Sequence, residues 1–130
     1  LDTHALVWWA SDPATIPAKA RRLIKAGIDA PGTVAASSIS IWEIAMLVER
    51  GRLQLTIETD AWIAAFQALP FITFIPVDNA IALRAVSLPN FPHRDPADRF
   101  IAATAMGLGA TLVTADRRLR GYEPVRTAWD

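Results

Sequence analysis

Hydrophobic positions along this chain repeat with two different periods. Runs in which apolar residues recur every three or four positions predict helices over residues 16–26, 41–49, 60–69, 78–86 and 95–106. Short apolar runs bounded by turn residues predict strands over 33–37, 71–75 and 111–114. Weaker patterns predict further strands over 53–57 and 124–127. The chain therefore alternates between helices and strands.

This alternation predicts an α/β fold. Strands that are separated by helices form a parallel sheet with helices on both of its faces. Right-handed crossovers bring the C-terminal ends of such strands to one edge of the sheet, where ligands bind. A length of 130 residues predicts one domain over residues 1–130, with one sizeable core. Polar residues that directly follow strands are therefore the candidates for function.

Acidic residues from distant parts of the chain lie at positions that this topology sends to one edge. Asp2 is expected to follow a strand, and Glu43 lies on a helix that follows a strand. Asp95 and Asp98 open a later helix, and Asp116 directly follows another strand. Clustered carboxylates repel one another unless a cation neutralises them. Oxygen ligands in a chain without Cys favour Mg²⁺ or Mn²⁺ over zinc, and such an ion suits phosphodiester cleavage.

Each acid also has a structural interpretation that the local sequence leaves open. Glu43 fits the last position of a capping box and would then bond only the backbone of its own helix. Asp95 fits a helix N-cap, and Asp98 fits the first turn behind it. Asp116 could be a turn or cap residue after its strand. Asp2 is the acid for which the sequence suggests the weakest structural alternative.

Four segments of the chain together resemble a known family. They are Leu-Asp-Thr-His-Ala at 1–5, Ser-Ile-Ser-Ile-Trp-Glu-Ile-Ala at 38–45, His-Arg-Asp-Pro-Ala-Asp-Arg-Phe-Ile-Ala-Ala-Thr-Ala at 93–105, and Leu-Val-Thr-Ala-Asp at 112–116. In order and spacing they are similar to PIN-domain proteins of the VapC-like toxin branch, and the third segment is the most specific. The resemblance covers nearly the whole chain. It departs from the family at the start, where Leu1 alone precedes the first acid.

The resemblance implies a three-layer α/β/α sandwich with a central parallel sheet. It also implies an endoribonuclease that depends on Mg²⁺ or Mn²⁺, acts as the toxin of a toxin–antitoxin pair and is held inactive by a cognate antitoxin. The family's catalytic and metal-binding acids fall on Asp2, Glu43, Asp98 and Asp116, with Asp95 as an additional, part-time ligand. Thr3 and Thr114 match hydroxyl positions that support the acids.

Arginine dominates the basic residues, since eleven of the 13 are Arg. Arg binds phosphate through two hydrogen bonds and stacks on bases, so this bias suits an RNA substrate, although a solvated helix surface would give the same composition. Arg94, Arg99 and Arg117 flank the candidate acids and are the predicted substrate contacts. Because the formal net charge is zero, any attraction to RNA has to be local.

Two histidines and a tryptophan pair also lie near the candidate acids. His4 and His93 could each act as a general base, but a hydrogen-bonding role in a loop is the favoured interpretation for both. The neighbours Trp8 and Trp9 point about 100° apart on a helix, so both are difficult to bury within one monomer. We expect at least one of them to contact a second copy in a homodimer, or the antitoxin.

Composition limits the other functional classes. A chain without Cys has no disulfide framework, no thiolate zinc site and no Cys nucleophile. The absence of a long apolar run and of a basic signal region predicts a cytoplasmic protein. Two alternatives to the ribonuclease stay open. One is a haloacid-dehalogenase-like phosphatase with Asp2 as its nucleophile, although His4 stands where such enzymes commonly have a second acid. The other is a catalytically inactive module that binds an antitoxin or RNA.

Overall fold

The computed structural model describes residues 1–30 and 34–130, and it contains the predicted alternation of helices and strands. The helices are α1 (Thr3–Ser11), α2 (Ala18–Asp29), α3 (Ser38–Glu49), α4 (Thr59–Gln67), α5 (Asn79–Val86), α6 (Pro96–Leu108) and α7 (Arg117–Arg120), with a short 3₁₀ turn at Pro13–Thr15. The strands are β1 (Val34–Ser37), β2 (Ile72–Ile75), β3 (Leu112–Val113) and β4 (Thr127–Ala128). The predicted start of the first strand at Thr33, and the Pro31-Gly32 pair before it, lie outside the described residues.

Three local predictions differ from the structure. The strand predicted over 124–127 lies instead at Thr127–Ala128, and the other two differences have a packing explanation. The hydrophobic periodicity does not give the bounds of α1, because its nine residues are mostly apolar, although the expected contact through Trp8 and Trp9 already assumes a helix there. The strand predicted over 53–57 is wrong, since this segment has no regular structure. Its alternating Leu53 and Leu55 instead pack against the apolar cluster that contains Leu6 and Phe66. Alternation there reflects burial of a loop rather than pairing with a strand.

The strands form two parallel pairs rather than one continuous sheet. In one pair β1 and β2 are aligned from Val34 opposite Ile72 onwards, and in the other β3 is aligned with β4. The backbone of the first two residues lies between the pairs, since the Leu1 nitrogen donates to the Ala35 oxygen over 2.8 Å. The Asp2 amide donates to the Val113 oxygen over 3.1 Å. Asp2 is therefore held between the ends of β1 and β3.

Helices cover the strands and bring the acid-bearing segments together. The first strand pair is contacted by α2, α3, α4 and α6, and α3 also contacts α6. The buried face of α6 contributes Ile101, Ala102 and Ala105 to a cluster with Leu112 and Leu119. The small alanine side chains allow α6 to approach its neighbours closely. The predicted α/β architecture is confirmed. None of the described helices is both long and apolar enough to cross a membrane.

Candidate metal centre

Asp2 begins the site and also caps the helix that the sequence pattern missed. Its Oδ1 accepts a 2.8 Å hydrogen bond from the Ala5 amide, which makes it the N-cap of α1. Its Oδ2 accepts a hydrogen bond from the Thr114 hydroxyl. The residue is only 6% exposed. Burial raises the pKa of Asp2 above its usual range, and the bonds from Thr114 and Ala5 oppose that rise.

Glu43 is buried on α3, and its capping-box interpretation is wrong. Helix α3 begins at Ser38, with the Ser37 side chain accepting from the Ile39 amide, so Glu43 lies beyond the first turn. Its side chain interacts instead with the Thr3 hydroxyl, which also lies 2.9 Å from the Ser40 hydroxyl. Burial raises the pKa of Glu43, and neighbouring negative charges, including that of Asp2, add to the effect.

The start of α6 carries the predicted cap and, in its first turn, a half-buried acid. Asp95 is the N-cap and accepts from the Ala97 amide over 2.9 Å, with Pro96 at the first helical position. Asp98 lies in the first turn. Burial is the main cause that raises the pKa of Asp98 to about 6, and the charges of Asp95, Glu43 and Asp116 raise it further while His93 lowers it. Acids from α3, α6 and the end of β3 are therefore within electrostatic reach of one another.

The two carboxylate oxygens of Asp116 make different contacts. Its Oδ1 caps α7 by accepting from the amides of Arg118 and Leu119 over 2.8 and 3.1 Å. Its Oδ2 lies 2.9 Å from the His93 Nε2 atom. Partial burial alone would raise the pKa of Asp116, but the helix amides and His93 outweigh burial and lower it. The pKa of Asp116 is lowered whereas those of Asp2, Glu43 and Asp98 are raised. Asp116 is therefore the last of these four acids to take up a proton as the pH falls.

Thr114 links the first and last acids of the site. Its hydroxyl donates to Asp2 and accepts from the Asp116 amide over 3.1 Å. The side chain is fully buried. Thr3 and Thr114, the two predicted supporting residues, therefore both contact acids in the structure. That they support a reaction stays a prediction.

His93 is the residue that sequence reasoning placed outside the site. Its Nε2 lies 2.9 Å from Asp116 Oδ2 and 3.8 Å from Asp98 Oδ2. The nitrogen is buried, yet it makes no aligned hydrogen bond. Ligand atoms of these three residues all lie within 4.8 Å of one another. The available signal was the position of His93 immediately before the Arg-Asp-Pro-Ala-Asp run at the start of α6.

These observations fit a divalent cation. Repelling carboxylates and an orphaned imidazole nitrogen are groups that a positive ion would satisfy together. Among the described residues, the compact donor group consists of His93, Asp98 and Asp116. The charge of Glu43 acts on Asp98, and Asp2 acts on Glu43 and shares Thr114 with Asp116, but neither Asp2 nor Glu43 belongs to this compact group.

The predicted arginine contacts differ in their surroundings. Arg94 and Arg117 are exposed next to the starts of α6 and α7. Arg99 is half-buried instead, where it donates to the Ala85 oxygen over 3.0 Å. Its guanidinium lies 5.2 Å from the centre of the Phe91 ring. Arg99 thus joins α6 to the end of α5, a structural role that its sequence position did not indicate.

The Trp8-Trp9 pair is half-buried, with the two rings in different surroundings. Trp8 lies against Trp129, with ring centres 5.7 Å apart. Trp9 meets Phe66 and Phe71 edge to face. Neither ring is fully covered by this chain, so the expectation of a contact with a second copy or an antitoxin stays a prediction.

Comparison with known proteins identifies the family. The sequence profile of the PIN domain matches residues 1–123. This chain belongs to the PIN-domain family. Among curated proteins, the PIN domain is 36% identical over 131 residues to "Ribonuclease VapC22" of Mycobacterium tuberculosis (strain ATCC 25618 / H37Rv), covering 99% of this chain and 96% of that protein.

Two solved structures share the PIN-domain fold. One is the crystal structure of VapBC2 from Rickettsia felis bound to a DNA fragment from their promoter, with a TM-score of 0.71 and 17% identity, covering 98% of this chain and 96% of that one. The other is a toxin–antitoxin complex from Klebsiella pneumoniae, with a TM-score of 0.60 and 24% identity, covering 95% and 92% of the two chains. At these identities the likeness establishes the fold.

Proposed function

We propose that this PIN domain is a metal-dependent endoribonuclease and the toxin of a toxin–antitoxin pair. The observation that carries the proposal is the convergence of Asp98, Asp116 and an unsatisfied His93 nitrogen, whose ligand atoms lie within 4.8 Å of one another, with Glu43 close enough for its charge to act on Asp98. A relative that is named a ribonuclease and matches this chain from end to end supports the activity. The fold shared with toxin–antitoxin complexes supports the biological role. We also propose that residues 1–130 form one domain.

Asp98 and Asp116 are the acids that would hold Mg²⁺ or Mn²⁺, with Asp2 and Glu43 completing or tuning the site. When bound, such an ion stabilises negative charge on the phosphate and makes water a stronger nucleophile. Thr114 keeps Asp2 and Asp116 in a fixed relation through its two hydrogen bonds. Thr3 restrains the buried Glu43 carboxylate. Asp95 is committed to capping α6 and contributes mainly negative charge.

The exposed Arg94 and Arg117 are the residues that would bind RNA phosphates. Each is adjacent to a helix N-terminus that carries a site acid, so a phosphodiester at the acids would lie near both guanidinium groups. The helix N-termini add partial positive charge to the same place. Local positive groups of this kind are needed because the chain has no net charge.

The proposed partners are a cognate antitoxin and a second copy of the chain. Trp8 and Trp9 are the residues expected to contribute to one of these contacts, since both rings keep exposed area. The proposed setting is the cytoplasm, where RNA and antitoxin are both present.

The test is cleavage of structured cellular RNA by the purified protein, with Mg²⁺, with Mn²⁺ and with excess EDTA. We expect cleavage with either ion, none with EDTA, and a loss of at least about 100-fold in Asp98→Asn and Asp116→Asn. Asp78→Asn is the matched control, because Asp78 caps α5, is not one of the compact donor group, and Asn also caps helices. Full activity of both site variants would refute the assignment.

The same experiment separates the two alternatives. RNA that is bound but not cleaved under any metal condition would favour an inactive binding module. A covalent phospho-aspartate would favour the phosphatase. The structure already argues against that enzyme, because Asp2 is buried and both of its oxygens accept hydrogen bonds within the chain.

A further inference from the structure

The distances around His93 Nε2 are short enough for three ligand atoms to share one ion. Metal–ligand bonds of about 2.1 Å in an octahedral site place adjacent ligand atoms about 3 Å apart and opposite ones about 4.2 Å apart. The observed separations from Nε2 are 2.9 Å to Asp116 and 3.8 Å to Asp98. The first distance matches adjacent ligands, and the second lies between the adjacent and the opposite spacing. One ion could therefore contact all three atoms.

A simple ion pair between His93 and Asp116 explains the same distance less well. A charged imidazole that donates to a carboxylate would align its N–H with the oxygen. Nε2 instead lies at contact distance without that alignment, although it is shielded from solvent. Asp116 Oδ2 is also free of helix amides, because Oδ1 accepts both capping bonds. Among the described residues, the two atoms approach each other closely enough for His93 to lower the pKa of Asp116, but no third group donates to either of them.

We propose that His93 Nε2 is a nitrogen ligand of the divalent cation, together with one carboxylate oxygen each from Asp98 and Asp116. This inference rests on the proposed metal dependence and adds a residue that neither the acid pattern nor the sequence resemblance placed in the site. It requires neutral His93 with its proton on Nδ1, which leaves the Nε2 lone pair for the ion.

A nitrogen ligand makes a chemical prediction about which ion the site prefers. Mg²⁺ binds almost entirely through oxygen, whereas imidazole is a good ligand for transition metals and is accepted by Mn²⁺. His93 therefore favours Mn²⁺ over Mg²⁺ at this site. Removing the imidazole should weaken Mn²⁺ binding much more than Mg²⁺ binding.

The decisive measurement is electron spin-echo envelope modulation of Mn²⁺ bound to the wild-type protein. A directly bound imidazole nitrogen produces ¹⁴N modulation, which changes to the ¹⁵N pattern when histidine is isotopically labelled. The chain has two histidines, so single variants assign the signal. We expect it to be lost in His93→Gln and kept in His4→Gln, whose altered residue is exposed.

Calorimetric titration gives the second readout. We expect His93→Gln to weaken Mn²⁺ by at least about 10-fold, since even the loss of groups that only orient ligands commonly reduces affinity about 10–100-fold. Mg²⁺ should change by less than about 3-fold. Equal losses for the two ions, or no loss for either, would contradict nitrogen ligation.

The outcomes also distinguish this inference from the proposed function. Wild-type protein that binds Mn²⁺ and cleaves RNA, but shows no histidine modulation, would overturn the role of His93 alone. Protein that binds neither ion and cleaves no RNA would overturn both. Because the spectroscopy uses wild-type protein, a folding defect in His93→Gln could not produce either result.

Discussion

Replacing Asp98 by Asn should make the metal-free protein more stable while weakening binding at the proposed metal site. Asp98 is only 21% exposed in its side chain, and burial together with the charges of Asp95, Glu43 and Asp116 raises its pKa from 3.8 to about 6. A tenfold change in proton affinity is worth about 1.4 kcal/mol, so this rise corresponds to about 3 kcal/mol against the ionised form. Water that reaches the partly exposed group screens the charges and reduces the value to about 1–2 kcal/mol.

The pH dependence of this stability difference follows from the proton that Asp98 binds in the folded protein. Between pH 3.8 and about 6 the folded protein holds a proton on Asp98 that the unfolded chain has lost. This contribution to stability is present at low pH and is lost as the pH rises through about 6. Asn carries no charge at any pH. The advantage of Asp98→Asn should therefore be largest near pH 8 and should shrink by roughly half at pH 5.

Urea and thermal unfolding in EDTA, at pH 8 and pH 5, measure this effect. For a chain of this size we expect the midpoint of Asp98→Asn at pH 8 to exceed that of the wild type by about 3–8 °C. Saturating Mn²⁺ should reverse the order, because it stabilises only the protein that binds it. Glu123→Gln, at an exposed turn, is the control and should change stability by less than about 0.5 kcal/mol.

Two results would refute the reasoning about Asp98. Equal stability of the variant and the wild type at pH 8 would mean that neither burial nor the neighbouring acids disfavour the ionised Asp98 carboxylate. A gain of the same size at both pH values would indicate a packing effect of Asn rather than the removal of charge.

Three further predictions concern the neighbours of this acid. Metal affinity of the wild type should fall as the pH drops below about 6, because protons compete for Asp98; calorimetry that finds constant affinity from pH 5 to 8 would contradict this. Thr114→Val should lower the free energy of unfolding by about 1–3 kcal/mol, since the buried hydroxyl bonds both Asp2 and the Asp116 amide, and denaturant titration checks it. Arg117→Ala should weaken RNA binding, measured by fluorescence anisotropy, with little change in stability. Arg99→Ala should instead reduce the free energy of unfolding by about 1–3 kcal/mol, because it loses the hydrogen bond to the Ala85 oxygen. Both measurements on both variants test this contrast.

Local sequence signals proved dependable wherever three or four adjacent residues decide the structure. The Asp95-Pro96 start of α6 and the cap at Asp116 follow from side chains that bond their own helix amides. The strand at Ile72–Ile75 follows from its run of β-branched and aromatic residues. The candidate acids could also be predicted from the sequence, because they follow strands and the strand ends of a parallel sheet share an edge.

Patterns that depend on burial were less informative. Helix α1 lacks a polar face because it is covered on most sides, so its periodicity is absent. Glu43 and Ser40 satisfy the spacing of a capping box, yet the helix begins earlier, at Ser38, and both side chains face Thr3. Spacing alone does not determine where a helix begins when two serines compete to cap it.

The sequence by itself determined the order of helices and strands, the family and the set of acids, since each depends on residues that are close along the chain or on a pattern of residue types. Tertiary structure alone decided which groups meet. It brought Asp116 to His93 and Asp98, and it bonded Arg99 to the end of α5. It also buried Asp98 and placed the distant Glu43 and Asp116 near it, which raises the pKa of that carboxylate. Burial and charge interactions depend on distances in space, and those distances are set only when the chain has folded.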